Sequence, residues 1–329
     1  MNQEPLLQIE GLSIRYATEQ GEVSAVDDLS LSVDRGISLG LVGESGSGKS
    51  TIGLAILRLL AANAKTEGQI ACEGVDLLHL PERELNAEWR WRRISMVFQK
   101  SLSALSPVHR IGGQMREILS LHEPDLSSEA RETRIAEVLE SVRLPERVLG
   151  AFPFELSGGM MQRTMIALSL ICKPPFVIFD EATTALDVIT QSQILAEINM
   201  LKQEFALTTL VISHDVGVIN AVADQVAVLY AGQLMEVAPR SIFFTAPLHP
   251  YSQALTASVP RLSGPRRRLE GIPGSLPDLT RPPSGCRFAP RCPHATPECM
   301  ERTPSLVAVE PGHLVRCTEF SLRAEEITV

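Results

Sequence analysis

Gly43-Glu44-Ser45-Gly46-Ser47-Gly48-Lys49-Ser50 is a complete G-x-x-x-x-G-K-[ST] run, and it follows directly on the apolar stretch Ile37-Ser38-Leu39-Gly40-Leu41-Val42. The motif carries its mechanism only when a buried strand delivers the loop and a helix leaves it. Downstream, Ile52, Ala55, Ile56, Leu59 and Leu60 repeat at the spacing of one buried helical face. A helix is therefore expected from the lysine end of the loop. Its free N–H groups and positive dipole end point back at whatever the glycines enclose, which suits a polyphosphate. In that arrangement Lys49 reaches the β- and γ-phosphates of ATP, Ser50 ligates Mg²⁺, and Thr51 completes the binding run.

Outward from the loop, residues 6–35 alternate as half-buried strands do, with Leu7 and Ile9, then Leu12 and Ile14, then Leu29, Leu31 and Val33. An antiparallel β layer is expected ahead of the loop. Residues 128–144 put Ile135, Val138, Leu139 and Val142 on one helical face. Three apolar runs, Phe176 to Phe179, Leu207 to Ser213 and Val226 to Tyr230, suit strands of a parallel sheet covered on both sides. The expected fold is an α/β core with a helical insertion. After about residue 239 the composition changes, since 14 of the 22 prolines and 4 of the 6 cysteines lie there. Proline removes donors and fixes φ, so this part is expected to be a loop-rich appendage without long helices or central strands.

The formal charge of −9 and a pI near 5.4 argue against bulk binding to nucleic acid or anionic lipid. Arg266-Arg267-Arg268 reads as a solvated loop. The start of the sequence has no secretory signal pattern and no run of about 18 apolar residues occurs, so a cytoplasmic protein is expected.

Two further elements carry chemistry. Phe176-Val177-Ile178-Phe179-Asp180-Glu181 is an apolar strand ending in two carboxylates, placed for Asp180 to hold Mg²⁺ and for Glu181 to polarise an attacking water. Leu156-Ser157-Gly158-Gly159-Met160-Met161-Gln162-Arg163 opens a helical pattern running through Leu170, with backbone N–H groups and a hydroxyl free for an anion.

LSGGMMQR, between a phosphate loop and a strand ending in Asp-Glu, resembles the signature of ATP-binding cassette (ABC) proteins. The resemblance covers nearly the whole chain. It implies a P-loop NTPase (RecA-like) core with an N-terminal antiparallel β layer and a helical subdomain at about residues 100–170. The cassette would span residues 1–240 and a C-terminal extension residues 241–329. It further implies that Tyr16 stacks on adenine, that Gln99 contacts the metal and water, that Asp187 of Ala185-Leu186-Asp187 lies at a dimer interface, and that His214 bonds the γ-phosphate. In this family Ser157, Gly158 and Gly159 of one subunit cover the nucleotide held by the other. A chain with one cassette must then pair with itself or with a related ATPase subunit. Two departures from the pattern are Lys100-Ser101, where many relatives have Asp-Pro, and Ala182, where they have Pro.

His249-Pro250-Tyr251, Gly274-Ser275-Leu276-Pro277 and Gly285-Cys286-Arg287-Phe288 resemble the extension of the dipeptide, oligopeptide and nickel importer ATPases. The implied partners are two integral membrane permease subunits and an extracytoplasmic solute-binding protein, with the chain peripheral on the cytoplasmic face of the inner membrane and a peptide, nickel or peptide-like solute as cargo. A soluble ABC ATPase acting on nucleic acid or ribosomes is disfavoured by the acidity and the single cassette, and a non-hydrolysing regulatory module by Glu181 and His214. Cys286, Cys292, Cys299 and Cys317 have the spacing C-x5-C-x6-C-x17-C. Disulfides, Zn²⁺, a [4Fe–4S] cluster and unmetallated thiols all remain open. A reducing compartment disfavours the first and the absence of C-x2-C knuckles the second, while the resemblance and Pro293 favour the cluster. Cys72 and Cys172 read as buried structural thiols.

Overall fold

The structure, a computed structural model, describes residues 4–99, 104–184, 186–258 and 271–321. Lys100, Ser101, Ala185 and Arg266-Arg267-Arg268 lie outside the described residues. The chain forms two compact units, one of Met1–Asp34, Ser38–Leu78 and Ile212–Val329, the other of Arg35–Ile37 and His79–Val211. The expected division at residue 240 is not where compactness divides the chain, because residues beyond 240 belong to the same unit as the N-terminal strands.

In the first unit an antiparallel layer runs in the order Gly21–Val33, Leu7–Thr18, Ala64–Cys72, Val75–Asp76. The alternation that suggested two short strands belongs to one strand of twelve residues. Between Ile9 and Leu12 the register slips at Gly11, which has φ 55°. One extra residue at a bulge returns the following side chains to the same face, so Leu7, Ile9, Leu12 and Ile14 are all buried. A second set of strands runs in the order Val307–Glu310, His313–Val315, Gln233–Pro239, Gln225–Tyr230, Ser38–Val42. The last two are parallel. Gln225–Tyr230 and Gln233–Pro239 are joined by a two-residue turn, Ala231-Gly232, with φ 50° and 83°, the mirror-image hairpin turn that matches strand twist. A side chain at Gly232 would place its Cβ 2.8 Å from the Ala25 carbonyl oxygen.

The helix after the phosphate loop, Lys49–Ile56, is shorter than its apolar stripe. Arg58 turns left-handed at φ 52°; its N–H bonds to Ala55 O and the Leu59 N–H to Leu54 O, closing the helix as a Schellman motif. Ile52, Ala55 and Ile56 are buried as expected, but Leu59 is 42% exposed.

The second unit holds strands in the order Thr208–Ser213, Phe176–Asp180, Ile94–Val97, the first running across the unit boundary at Ile212. Ile94–Val97 and Phe176–Asp180 are parallel and buried along their full length. Around them lie the helices Ile111–His122, Ser128–Ser141, Gly158–Leu170 and Val188–Glu204. Ser127 caps Ser128–Ser141 by accepting from the Ala130 N–H. Arg116 pairs with Glu132 at 2.6 Å and the half-buried Arg163 with the buried Glu197 at 2.8 Å, each tying two helices together.

The appendage has short elements, as expected of its prolines: among the described residues beyond 240 no helix exceeds the eight residues of Pro250–Ala257. What holds it is a polar staple rather than a core of its own. Glu236, fully buried in Gln233–Pro239, accepts from the N–H groups of Leu248 and His249 at 2.9 Å and contacts His313 Nε2 at 2.7 Å. His249 is itself buried, and burial pushes its imidazole down to about 3, so it stays neutral and accepts from the Tyr251 N–H. Tyr230 meets Tyr251 and Phe288 edge to face with centroids 4.7 and 5.2 Å apart, and Tyr251 and Phe288 lie tilted to each other at 5.2 Å. Glu236→Ala strips three donors of their partner at once. It is expected to cost about 3–5 kcal/mol, the scale of leaving several buried polar groups without their partner, and to be seen as a lowered thermal midpoint with early proteolytic cleavage beyond residue 240.

Candidate nucleotide site

In the first unit, Ser38–Val42 is buried throughout and delivers Gly43, where a Cβ would stand 2.0 Å from the Leu229 carbonyl oxygen. Gly46 and Gly48 have φ 82° and 103°, and a Cβ at Gly48 would fall 2.3 Å from Ala25 O. Only glycine fits these positions. Lys49, 5% exposed, folds over the loop and donates from Nζ to the carbonyl oxygens of Gly43 and Glu44, both at 2.8 Å. Ser47 is buried, Ser50 and Thr51 are half-buried, and Ser45 is exposed. The helix that starts at Lys49 has no acidic residue in its first turn to oppose an anion at its positive dipole end. Tyr16 sits half-buried near the end of Leu7–Thr18, in register with Val23 and Ala64. His214 is exposed just after Thr208–Ser213, and Asp215 accepts from the Gly217 N–H at 2.7 Å to cap the next helix.

The second unit gathers the other predicted residues. Asp180 is buried at the end of its strand. Glu181 has φ 48°, a left-handed backbone that non-glycine residues adopt uncommonly. Its carboxylate accepts from Gln99 Nε2 at 2.5 Å and from Thr184 Oγ1 at 3.3 Å. Gln99 and Glu181, 82 residues apart in sequence, are thus in contact. Ser157 caps Gly158–Leu170 by accepting from the Met160 N–H at 3.3 Å, which leaves Ser157 and Gly158 exposed. A Cβ on Gly159 would meet Thr190 Cγ2 at 2.9 Å. Thr190 in turn donates its hydroxyl to Asp187 at 2.6 Å, and Asp187 caps Val188–Glu204 through the N–H groups of Ile189 and Thr190. The Thr190 hydroxyl first, and then these backbone donors, hold the Asp187 carboxyl below its ordinary range. The Ser157 turn and the Asp187 turn are therefore neighbours. Beside them Val188 and Ile189 are 81% and 72% exposed.

Cys286, Cys292, Cys299 and Cys317 all line one cavity of about 500 Å³, and the described cysteines carry no disulfide. The Cys286 N–H bonds to Cys299 O at 2.8 Å, and a Cβ at Gly285 would lie 2.3 Å from that same oxygen. Backbone and hydroxyl groups address the sulfurs, with the His294 N–H 3.4 Å from Cys292 Sγ and Thr296 Oγ1 3.4 Å from Cys299 Sγ. Among the described residues no three His, Cys, Asp or Glu side chains converge as on a single metal ion, which bears on the Zn²⁺ and the [4Fe–4S] expectations alike. Cys72 and Cys172 are buried away from this cavity, as expected of structural thiols, and burial pushes Cys172 up to about 12. Two residues near the phosphate loop escaped the sequence. Tyr251 and Arg291 both bond to Glu44, and they stand 207 and 247 residues from it, where no spacing rule reaches.

Residues 26–184 match the family model for ABC transporters, and residues 235–299 match that for the oligopeptide/dipeptide transporter C-terminal region. The chain is 44% identical over 318 residues to the oligopeptide transport ATP-binding protein OppD of Haemophilus influenzae, covering 95% of this chain and 97% of that protein. The chain belongs to the ABC transporter family. OppD of Salmonella typhimurium is likewise 44% identical, with 95% and 93% covered. In fold, the chain is similar to the dimeric post-hydrolysis structure of the ATP-binding cassette MJ0796 bound to ADP and Pi, with a TM-score of 0.64, 27% identity, and 71% and 98% covered. Family membership agrees with the motif order read from the sequence, and the second match begins within Gln233–Pro239, the strand that carries Glu236.

Proposed function

We propose that this chain is the ATP-hydrolysing subunit of an importer for oligopeptides or dipeptides, acting as a peripheral protein at the cytoplasmic face of two membrane permeases served by a solute-binding protein. Among the described residues no helix is long and apolar enough to cross a membrane. The observation that carries the enzymatic reading is Glu181, held in left-handed backbone beside the buried Asp180 with its carboxylate engaged by Gln99. A carboxylate oriented by hydrogen-bond donors such as Gln99 and Thr184 can accept a proton from water.

In this reading the loop Gly43 to Thr51 cradles the phosphates of ATP, Lys49 compensates their charge, Tyr16 faces the adenine and His214 the γ-phosphate. Ser50, Asp180 and Gln99 would hold Mg²⁺, which when bound neutralises charge on the β- and γ-oxygens. Ser157, Gly158, Gly159 and Asp187 act on the nucleotide of a second cassette, identical or related. The exposure of Ser157, Gly158 and Asp187, and that of Val188 and Ile189 next to them, suits a face that closes against a partner. ATP binding then favours closure and hydrolysis releases it, a two-state cycle that drives the permeases. Uptake of labelled oligopeptides in a strain lacking this chain, restored by the wild type and not by a variant unable to hydrolyse ATP, tests the cargo; normal uptake without the chain refutes it.

The four cysteines are read as the holders of a [4Fe–4S] cluster. Support comes from four sulfurs on one cavity, with the His294 N–H directed at Cys292 Sγ and the Thr296 hydroxyl in hydrogen-bond contact with Cys299 Sγ. Protein purified anaerobically is expected to be brown and to contain iron. One zinc per chain without iron would overturn the assignment.

A further inference from the structure

Glu44, the second residue of the phosphate loop, is an acid in a place that is proposed to receive a polyphosphate. Left alone, its charge would oppose the ligand. The extension answers that charge with Arg291, whose Nη1 donates to both carboxylate oxygens at 3.0 Å, and ties the backbone of the same residue through Tyr251 Oη, which accepts from the Glu44 N–H at 3.0 Å. Arg291 is 6% exposed and is itself fixed from several sides. Its Nε donates to Pro273 O at 2.7 Å, its Nη2 to Ile272 O at 3.1 Å and its Nη1 to Tyr230 Oη at 3.2 Å. The segment it anchors runs on to Leu276, whose Cδ1 lies 3.7 Å from where a Cβ on Gly46 would be. One guanidinium thus joins the loop to two stretches of the extension, which makes the extension a wall of the site.

Resting on the nucleotide-binding reading above, we infer that Arg291 is a positioning residue for ATP: it cancels the charge of Glu44 and keeps the phosphate loop receptive to an anion. The test is equilibrium binding of MgATP to the full chain, with KM and kcat for hydrolysis in the assembled transporter. Arg291→Gln uncovers Glu44, and both Kd and KM are expected to rise about tenfold, the scale of one uncompensated charge near the ligand in a partly solvated site, while kcat moves less than about twofold. Adding Glu44→Gln to that variant removes the exposed carboxylate and should return the affinity to within about threefold of wild type. Loss of a merely structural tie would not be repaired by deleting its other end. Arg291→Lys keeps the charge and should bind within about threefold of wild type, which decides the matter should Arg291→Gln fail to fold. Unchanged ATP affinity in Arg291→Gln, a tenfold loss in Arg291→Lys, or a double variant as weak as the single one overturns the inference. A wild-type chain that does not bind ATP would instead remove the nucleotide-site reading beneath it.

Discussion

Glu181→Gln is expected to bind MgATP within about threefold of the wild type and to lose turnover by about 10²- to 10⁴-fold, the usual share of a general base. Glutamine keeps the shape of the side chain, and its amide oxygen can still accept from Gln99 and Thr184, so the local structure should survive. What it lacks is a group able to take a proton from the attacking water. With the nucleotide bound and not consumed, the paired cassettes should accumulate in the closed state and run as a larger species in size-exclusion chromatography with ATP. Phosphate release by the assembled transporter is the direct measurement. Hydrolysis at the wild-type rate would show that Glu181 only shapes the turn before Thr184.

Lys49→Ala should fail one step earlier. Lys49 is nearly enclosed and its Nζ lies on the loop that is to receive the phosphates. Its removal deletes the one cation within the motif and its bonds to the Gly43 and Glu44 carbonyls, of which the second keeps the Ser47 N–H. Charge-assisted bonds of this kind are each worth about 1.5–3 kcal/mol, so ATP affinity is expected to fall about 10²-fold. A nucleotide that binds only the native state raises the thermal midpoint by mass action; that rise should be present in Glu181→Gln and absent in Lys49→Ala. A Lys49→Ala chain that binds ATP within about threefold of wild type would remove the phosphate-loop reading.

These sites were legible in the sequence because their cues are local. A strand, eight consecutive residues and a helix fix the phosphate loop, and a strand ending in two acids fixes Asp180 and Glu181. Periodicity did less well where one residue changes the count. The bulge at Gly11 merges what read as two strands, and the left turn at Arg58 stops a helix whose apolar spacing continues to Leu60. The departures at Lys100 and Ser101 fall outside the described residues. Ala182 is buried next to the left-handed Glu181, in a turn closed by the bond from the Thr184 N–H to Glu181 O. Least legible were the partners of Glu44 and Glu236. An acid reads from sequence as a solvated charge, and nothing short of the folded chain places Arg291 or His313 beside it.

The ties described for Glu236 and Tyr230 bear on how the protein can be cut. Both side chains are buried in hairpin strands ahead of residue 240, yet their companions, His249, Tyr251, Phe288, Arg291 and His313, all come after it. A cassette trimmed at that residue would bare the Glu236 carboxyl and an aromatic face along the newly exposed strand, an adhesive edge prone to aggregation. The last ninety residues are therefore no detachable module, and chimeras that borrow the nucleotide half of this chain must take its proline-rich half as well.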